Sequence, residues 1–292
     1  MDYFKECTLC PRKCKVNRHK NYGYCGANDK LKIAHYSLHE WEEPLISGIN
    51  GSGTIFFSNC NLKCIFCQNK KISSNGYGKY ITTDRLKEIM LELKNKGAHN
   101  INLVTPTMYV PFIIEALDKI NLNIPIVYNT SGYENVEVIK LLDDYIDIYL
   151  TDFKYFDNTL GEKYSKCSNY FEITSKALDE MVKQKPNIVI ENNIMKKGVI
   201  VRILILPGHI DDSKKILKYL YEKYKDKIII SIMNQYTPMG NLEYDNLNRK
   251  LREDEYNEVI NYACDLGITK AFIQEGDTQL KSFIPEFDCS NI

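Results

Sequence analysis

Short apolar runs rich in β-branched residues alternate with amphipathic segments along most of this chain, and that alternation limits the folds open to it. Runs typical of strands cover residues 54–58, 100–104, 124–128, 146–151, 198–206, 228–232 and 271–273. Segments with helical spacing of apolar residues cover residues 84–96, 111–119, 136–142, 170–184, 213–224 and 253–266. Continuously apolar strands that alternate with helices predict a parallel sheet covered by helices. About six such units are fewer than the eight of a closed barrel, so the predicted fold class is α/β, a partial (β/α)6 barrel.

Three cysteines with the spacing C-x3-C-x2-C follow the first predicted strand: Cys60, Cys64 and Cys67. A cubane iron–sulfur cluster normally takes four thiolates. Three thiolates would leave one iron open to a small molecule, as a catalytic zinc site keeps one position for water or substrate. The same spacing would also suit one buried face of a helix. The turn-forming residues 51–53, the strand directly before the motif and the asparagines around it favour a cluster loop.

Polar residues follow the later predicted strands. In parallel α/β folds, ligands bind at the carboxyl ends of the strands. The polar side chains at or near those ends include Thr105, Thr107, Asn129, Thr130, Asp152, Lys154 and Arg202. They are the groups that a polar cofactor in a barrel mouth requires, although polar loop residues also serve as helix caps or are simply solvated. His209 follows the strand at 198–206, where it either contacts substrate or caps the next helix.

Four more cysteines lie close together near the N-terminus: Cys7, Cys10, Cys14 and Cys25. Four soft ligands suit tetrahedral zinc or a fully ligated iron–sulfur cluster, and the spacing does not decide between them. A zinc ion would hold together a segment too short to fold alone, whereas a cluster would pass electrons to the three-cysteine site. We predict a cysteine-rich module with its lead-in at residues 1–46 and a barrel with a closing C-terminal segment at 47–292. Arg12 and Lys13 are expected to be solvated.

Composition argues against some classes of partner. Lys and Arg together number 38, as do Asp and Glu, so the formal net charge is zero and no basic surface for nucleic acid is expected. The N-terminus has no apolar signal core, and the most apolar run, residues 199–206, is interrupted by Arg202 and too short to span a bilayer. We expect a cytoplasmic protein with no membrane association, whose cysteines are reduced or bound to metal.

From about residue 47 onward the chain resembles the activating-enzyme branch of the radical S-adenosylmethionine (radical SAM) superfamily, the relatives of pyruvate formate-lyase activating enzyme. The matching features are the cysteine motif, Gly-Ser-Gly-Thr at 51–54, Asp-Phe-Lys at 152–154 and the segment 202–212. The Cys-Pro-Arg of the N-terminal module and the stretch 41–48 are similar to a pyruvate formate-lyase activating enzyme-like subgroup.

The resemblance implies a [4Fe–4S] cluster on Cys60, Cys64 and Cys67, with S-adenosylmethionine on the open iron. Reductive cleavage would then yield a 5'-deoxyadenosyl radical that abstracts hydrogen from a substrate. The resemblance assigns cofactor-binding roles to Phe66, Asn69, Asn129, Thr130, Asp152 and Lys154. We also predict cofactor binding by Gln68 and Arg202, and by the hydroxyls of Thr105 and Thr107 as acceptors where this chain departs from the family. It also implies an electron donor such as flavodoxin or ferredoxin, and a protein or peptide among the candidate substrates.

One departure from the branch concerns the segment after the second predicted strand. Activating enzymes usually carry Gly-Gly-Glu there, whereas this chain has Thr-Pro-Thr at residues 105–107. Two substrate classes therefore stay open: a glycine in a partner enzyme, and a small molecule or peptide. A second hypothesis from another class is a non-catalytic iron–sulfur or zinc protein that acts in electron transfer or regulation, although such a carrier needs no large polar-lined barrel.

Overall fold

The computed structural model describes residues 2–274, 285, 287–289 and 291–292. Its strands are β1 (Leu31–His39), β2 (Ser52–Phe57), β3 (Lys79–Ile81), β4 (Ile101–Val104), β5 (Ile126–Thr130), β6 (Ile148–Asp152), β7 (Val189–Glu191), β8 (Ile194–Leu204), β9 (Ile229–Met233) and β10 (Ala271–Ile273). Its α-helices are α1 (Pro44–Ser47), α2 (Lys70–Ser73), α3 (Thr83–Asn95), α4 (Val110–Leu117), α5 (Val136–Leu141), α6 (Asn158–Ser165), α7 (Tyr170–Gln184), α8 (Ile210–Tyr224) and α9 (Glu253–Asp265).

One sheet runs through the molecule in the order β10-β9-β8-β6-β5-β4-β2-β1-β3. The seven strands from β10 to β2 pair in parallel, and each corresponds to a strand predicted from the sequence. In the part of the chain that the structure describes, β10 and β3 are the open edges of the sheet, as a partial barrel requires. The predicted α/β fold class is confirmed.

The sheet also extends into the segment before residue 47. Strand β1 pairs antiparallel with β2, and β3 pairs antiparallel with β1. Neither strand was predicted, because polar residues interrupt the apolar pattern of β1 and β3 has only three residues. The predicted domain boundary between residues 46 and 47 stays a prediction, and strands from both sides of it pair in the same sheet. Most of the predicted closing segment lies outside the described residues.

The helices pack on the outer face of the sheet through apolar side chains that recur on one side of each helix. In α3 the buried side chains are Leu86, Ile89, Met90 and Leu93, an i, i+3, i+4, i+7 stripe. The hydroxyl of Thr82 accepts a hydrogen bond from the amide of Arg85 and caps the first turn. Each fully buried Leu, Ile or Met contributes about 1.5–3 kcal/mol. None of the described helices is both long enough and apolar enough to cross a membrane.

A short segment closes the interior of the barrel at the amino ends of the parallel strands. Within it, α1 places Ile46, which is fully buried, in a cluster of interior side chains. The other buried members of that cluster are Val127, Ile148, Leu150, Met195, Ile200 and Ile229. The Ile46 carbonyl accepts a hydrogen bond from Asn100 Nδ2 (2.7 Å), which ties the segment to the start of β4. We call residues 40–48 the plug.

Candidate functional site

A cavity of about 620 Å³ occupies the barrel, and Cys60, Cys64 and Cys67 all line it. Its volume is in the range of cofactor sites. The wall also includes residues that follow the carboxyl ends of β4, β5 and β6, as expected for a parallel barrel.

The three cysteines lie in a loop, and residues 58–69 contain no helix, so the helical alternative is wrong. Lys63, inside the loop, adopts a positive φ of 99° that a regular helix does not allow. The amide of Leu62 donates to Cys60 Sγ (3.5 Å). The hydroxyl of Ser165, the last residue of α6, donates to Cys64 Sγ (2.9 Å). The loop is therefore held in place by α6 as well as by its own backbone.

The chemistry of this donor set suits a metal cluster. All three cysteines are free thiols. Burial raises the pKa of Cys64 to about 11, although the nearby Lys154 ammonium opposes that shift. Burial also raises the pKa of Cys60 far above its usual range, with further increases from Cys64 and Cys67. A bound metal supplies the positive charge that stabilises such thiolates.

Four side chains form a connected ionic network on the cavity wall. Arg202 donates from Nε to Asp152 Oδ1 (2.8 Å), from Nη2 to Asn129 Oδ1 (2.7 Å) and from Nη1 to Glu42 Oε2 (3.3 Å). Asn129 Nδ2 donates in turn to Glu42 Oε1 (3.2 Å). The Arg202, Asp152 and Glu42 side chains are at most a fifth exposed, so solvent screens these interactions weakly. The network fixes the orientation of Asn129 and Asp152 before any ligand binds.

Lys154 extends this network towards the cysteines. Its Nζ donates to Asp152 Oδ2 (2.5 Å). Burial alone would raise the pKa of Asp152, but the charges of Arg202 and Lys154 outweigh burial and lower it. Asp152 is therefore a carboxylate at neutral pH, with a cation on each oxygen. Such a group accepts hydrogen bonds from hydroxyls, as a ribose diol would require.

Other predicted cofactor residues also reach the cavity: Phe66, Gln68, Asn69, Thr105 and Thr130 line it. The ring of Phe66 lies 6.0 Å from that of Tyr236, which makes an aromatic wall. The side-chain oxygen of Asn69 is buried without a hydrogen-bond partner among the described residues, so it is available to a ligand.

Two predictions for the segment after β4 have different outcomes. Thr105 lines the cavity with a φ of 60°, the left-handed region that a β-branched residue seldom adopts. Thr107 is not among the cavity-lining residues; it is buried, and its hydroxyl donates to Glu134 Oε1 (2.6 Å). The hydroxyl proton of Thr107 is thus already used inside the protein.

Sequence reasoning missed Glu42 and Glu43 of the plug, which both line the cavity. Glu43 is 9% exposed, and burial raises its pKa to about 7. In the sequence, the stretch 41–48 stands out only for its similarity to a family subgroup, and a pair of glutamates before a proline equally suits an exposed helix start. His209 neither lines the cavity nor caps α8 through its side chain; its Nε2 contacts Tyr164 Oη (2.8 Å) and Asn246 Nδ2 (3.0 Å).

The four N-terminal cysteines lie outside the cavity lining, in the segment before β1. Cys7, Cys10 and Cys25 are less than a tenth exposed, and Cys14 is half-buried. The sulfurs of Cys14 and Cys25 flank Gly23, where an added Cβ would lie 3.7 and 3.3 Å from them. The amide of Ala27 donates to Cys25 Sγ (3.5 Å), as Leu62 does to Cys60. As the side chains stand, no three His, Cys, Asp or Glu residues of the described chain form a coordinating group.

Arg12 contradicts the expectation that it is solvated. Its Nε donates to the carbonyl of Asn61 (2.9 Å) inside the cysteine loop, and Nη2 and Nη1 donate to the carbonyls of Ser165 (3.2 Å) and Lys166. Its guanidinium lies 4.4 Å from the centre of the Tyr24 ring, within cation–π distance. Arg12 therefore joins the N-terminal module, the cysteine loop and the end of α6. The neighbouring Lys13 is exposed, as expected.

Comparison with known proteins identifies the family to which this chain is similar. The model of the Radical SAM superfamily matches residues 54–220. An uncharacterised protein of Methanocaldococcus jannaschii is 34% identical over 275 residues, which cover 89% of this chain and 75% of that protein. The structure of Streptococcus suis SuiB bound to the precursor peptide SuiA is 13% identical, with a TM-score of 0.50 over 75% of this chain and 47% of SuiB. A domain of a pyruvate-formate lyase-activating enzyme from Bacteroides vulgatus is 16% identical, with a TM-score of 0.41 over 58% of this chain and 91% of that domain.

Proposed function

Since the chain belongs to the radical SAM superfamily, we propose that it is an enzyme that reductively cleaves S-adenosylmethionine at a [4Fe–4S] cluster held by Cys60, Cys64 and Cys67. The observation that carries the proposal is that three free thiols open onto the same cavity as a preformed ionic network. When bound, the cluster and S-adenosylmethionine supply a 5'-deoxyadenosyl radical that abstracts hydrogen from the substrate.

The chain's own residues bind and orient the cofactor. Asp152 and Asn129, fixed by Arg202, offer acceptors to the ribose hydroxyls. Lys154 donates to Asp152, and its charge acts to lower the pKa of both Asp152 and Cys64, so it offers a cation to the methionyl carboxylate near the cysteine loop. Phe66 offers an apolar face to the adenine. Preformed contacts reduce the ordering that binding would otherwise require.

The plug supports radical chemistry by closing one end of the barrel. Ile46 and its interior neighbours exclude water from the amino ends of the strands. A reactive intermediate is thereby kept from side reactions with solvent.

Electron paramagnetic resonance of the anaerobically reconstituted and reduced protein tests the proposal. We expect a [4Fe–4S]+ signal that changes when S-adenosylmethionine is added, with 5'-deoxyadenosine as a product. Cys64→Ala should lose both, whereas Cys264→Ala, on an exposed residue outside the cavity, should keep both. A cluster signal that S-adenosylmethionine leaves unchanged would instead favour the non-catalytic electron carrier or regulator.

Two substrate classes fit the proposal. An activating-enzyme role on a glycine of a partner enzyme follows from the resemblance to that branch. Modification of a small molecule or a peptide is the alternative, because this chain lacks the Gly-Gly-Glu of the activating enzymes. In that segment Thr105 takes a left-handed conformation, which glycine would adopt without strain. A glycyl-radical signal in a partner enzyme after incubation would support the first class, and its absence with every such partner would support the second. Flavodoxin or ferredoxin is the proposed electron donor.

A second metal in the N-terminal module is a further part of the proposal, either zinc or an iron–sulfur cluster on Cys7, Cys10, Cys14 and Cys25. Its support is four free, mostly buried thiols in one small segment. Metal analysis of a variant with Cys60, Cys64 and Cys67 all changed to Ala isolates this site. Zinc or iron that remains bound identifies the metal, and metal-free protein that stays folded contradicts the site.

A further inference from the structure

The plug carries two neighbouring glutamates into the cavity, and they differ in their partners. Glu42 is engaged on both oxygens, by Arg202 and Asn129. All three guanidinium nitrogens of Arg202 already donate, to Asp152, Glu42 and Asn129. Glu43 lies near the Arg202 charge, but among the described ion pairs Arg202 and Lys154 contact Asp152 and Glu42 and not Glu43. Beside that charge, the Ser231 hydroxyl is the neighbour that acts to lower the pKa of Glu43, so its carboxylate has a polar contact but no paired cation.

The charges of the cavity do not balance. Among the described residues that line it, the fixed cations are Lys154 and Arg202, and the carboxylates are Glu40, Glu42, Glu43 and Asp152. Glu40 is exposed to solvent. Asp152 and Glu42 match the two cations by direct contact, which leaves the buried Glu43 as the carboxylate in excess. An unpaired buried charge costs free energy unless a ligand of opposite charge pairs with it.

Glu43 also approaches the cavity from the end opposite the cysteines. The cysteine loop follows the carboxyl end of β2, whereas the plug enters at the amino ends of the strands, where Ile46 packs. Burial raises the pKa of Glu43 to about 7 although the Arg202 charge opposes it, and a bound cation would lower that pKa.

We infer that Glu43 is a specificity-determining residue that binds a cationic group, an alkylammonium or guanidinium, of the substrate. The inference rests on the proposed function and gives its unknown substrate a chemical class. The substrate would enter the barrel with its cationic end towards the plug and its reacting carbon towards the cysteine loop. Glu42 is a positioning residue that holds Arg202 and Asn129.

Three probes of equal length but different charge test the inference: hexylamine, hexan-1-ol and hexanoate. Calorimetric titration of the reconstituted protein at pH 8, with and without S-adenosylmethionine, gives their affinities. We expect the amine to bind at least about tenfold more tightly than the alcohol, because a charged hydrogen bond is worth that much. Glu43→Gln should bind the amine and the alcohol alike, and Glu43→Asp should keep part of the preference. Glu137→Gln, the same change on an exposed residue of α5, should keep all of it.

Several outcomes would overturn the inference. Equal binding of the three probes by the wild-type protein, or binding of none, contradicts a cation site. A preference for the amine that survives in Glu43→Gln places the site elsewhere. Binding of the amine that is lost with S-adenosylmethionine present assigns Glu43 to the cofactor's own ammonium. The proposed function fails separately, when S-adenosylmethionine changes no cluster signal while the preference for the amine persists.

Discussion

The two sets of cysteines differ in what surrounds their sulfurs. Cys60, Cys64 and Cys67 face a cavity with charged walls. Cys7, Cys10 and Cys25 are less than a tenth exposed and lie outside that cavity. A reactive metal site needs access for its ligands, whereas a structural site is closed. This difference fits the proposal that the first set serves chemistry and the second set stabilises the fold.

Replacement of one cysteine in each set should give the largest contrast. We expect Cys60→Ala to reduce 5'-deoxyadenosine formation by roughly a thousandfold or more, because the cofactor supplies the chemistry. Cys7→Ala, assayed with a chemical reductant, should stay within about tenfold of the wild type while melting at a lower temperature. An equal loss of activity in a folded Cys7→Ala protein would show that the two sets work as one unit.

Removal of the residue that joins the two regions tests how strongly they are coupled. Arg12→Ala deletes three hydrogen bonds to carbonyl groups of the cysteine loop and the end of α6. We expect the free energy of unfolding to fall by roughly 3 kcal/mol and the cluster to become more sensitive to oxygen. Denaturant unfolding measures the first effect, and decay of cluster absorbance in air the second. Lys13→Ala, on the exposed neighbour, should change neither; similar losses in both variants would contradict the role of Arg12.

The burial of Glu43 in the cavity should make the free energy of unfolding depend on pH. Burial raises the pKa of Glu43 from 4.5 to about 7, so the folded protein holds this proton more tightly than the unfolded chain. The stability that Glu43 contributes is therefore present below pH 4.5 and is lost as the pH rises through about 7. Glu43→Gln does not titrate, and it should gain roughly 3 kcal/mol over the wild type between pH 4 and pH 8. Urea unfolding across that range measures the difference; a constant offset would contradict the shifted pKa.

A conservative change in the ionic network should have the smallest effect. Arg202→Lys keeps the charge but loses the planar fork that reaches Asp152, Glu42 and Asn129 together. We expect S-adenosylmethionine to bind about tenfold more weakly, with little change in melting temperature. Arg85→Lys, on the outer helix α3, serves as the matched control. Unchanged affinity in Arg202→Lys would remove the network from cofactor binding.

The parallel strands and the covering helices were predictable because local patterns carry their signal. Helix α7 and strand β10 have the predicted bounds, and the other parallel strands and covering helices differ by a few residues at their ends. Strand β3 was missed because it has only three residues, two of them exposed, and β1 because Lys32, His35 and Ser37 interrupt its apolar residues. The cysteine loop was predictable from spacing and from its place after a strand.

By itself, the sequence determined the alternation that makes a parallel barrel, the three cysteines at a strand end and the polar residues after the other strands. Only the tertiary structure decided which of those polar residues meet: it brings Arg202, Asp152 and Asn129 together, and it turns Thr107 and His209 away. It alone showed that Glu43 lines the cavity in the barrel and that Arg12 donates a hydrogen bond to the cysteine loop. The physical reason is that periodicity encodes which face of an element is buried, whereas a charged side chain is positioned by partners that lie far away in the sequence.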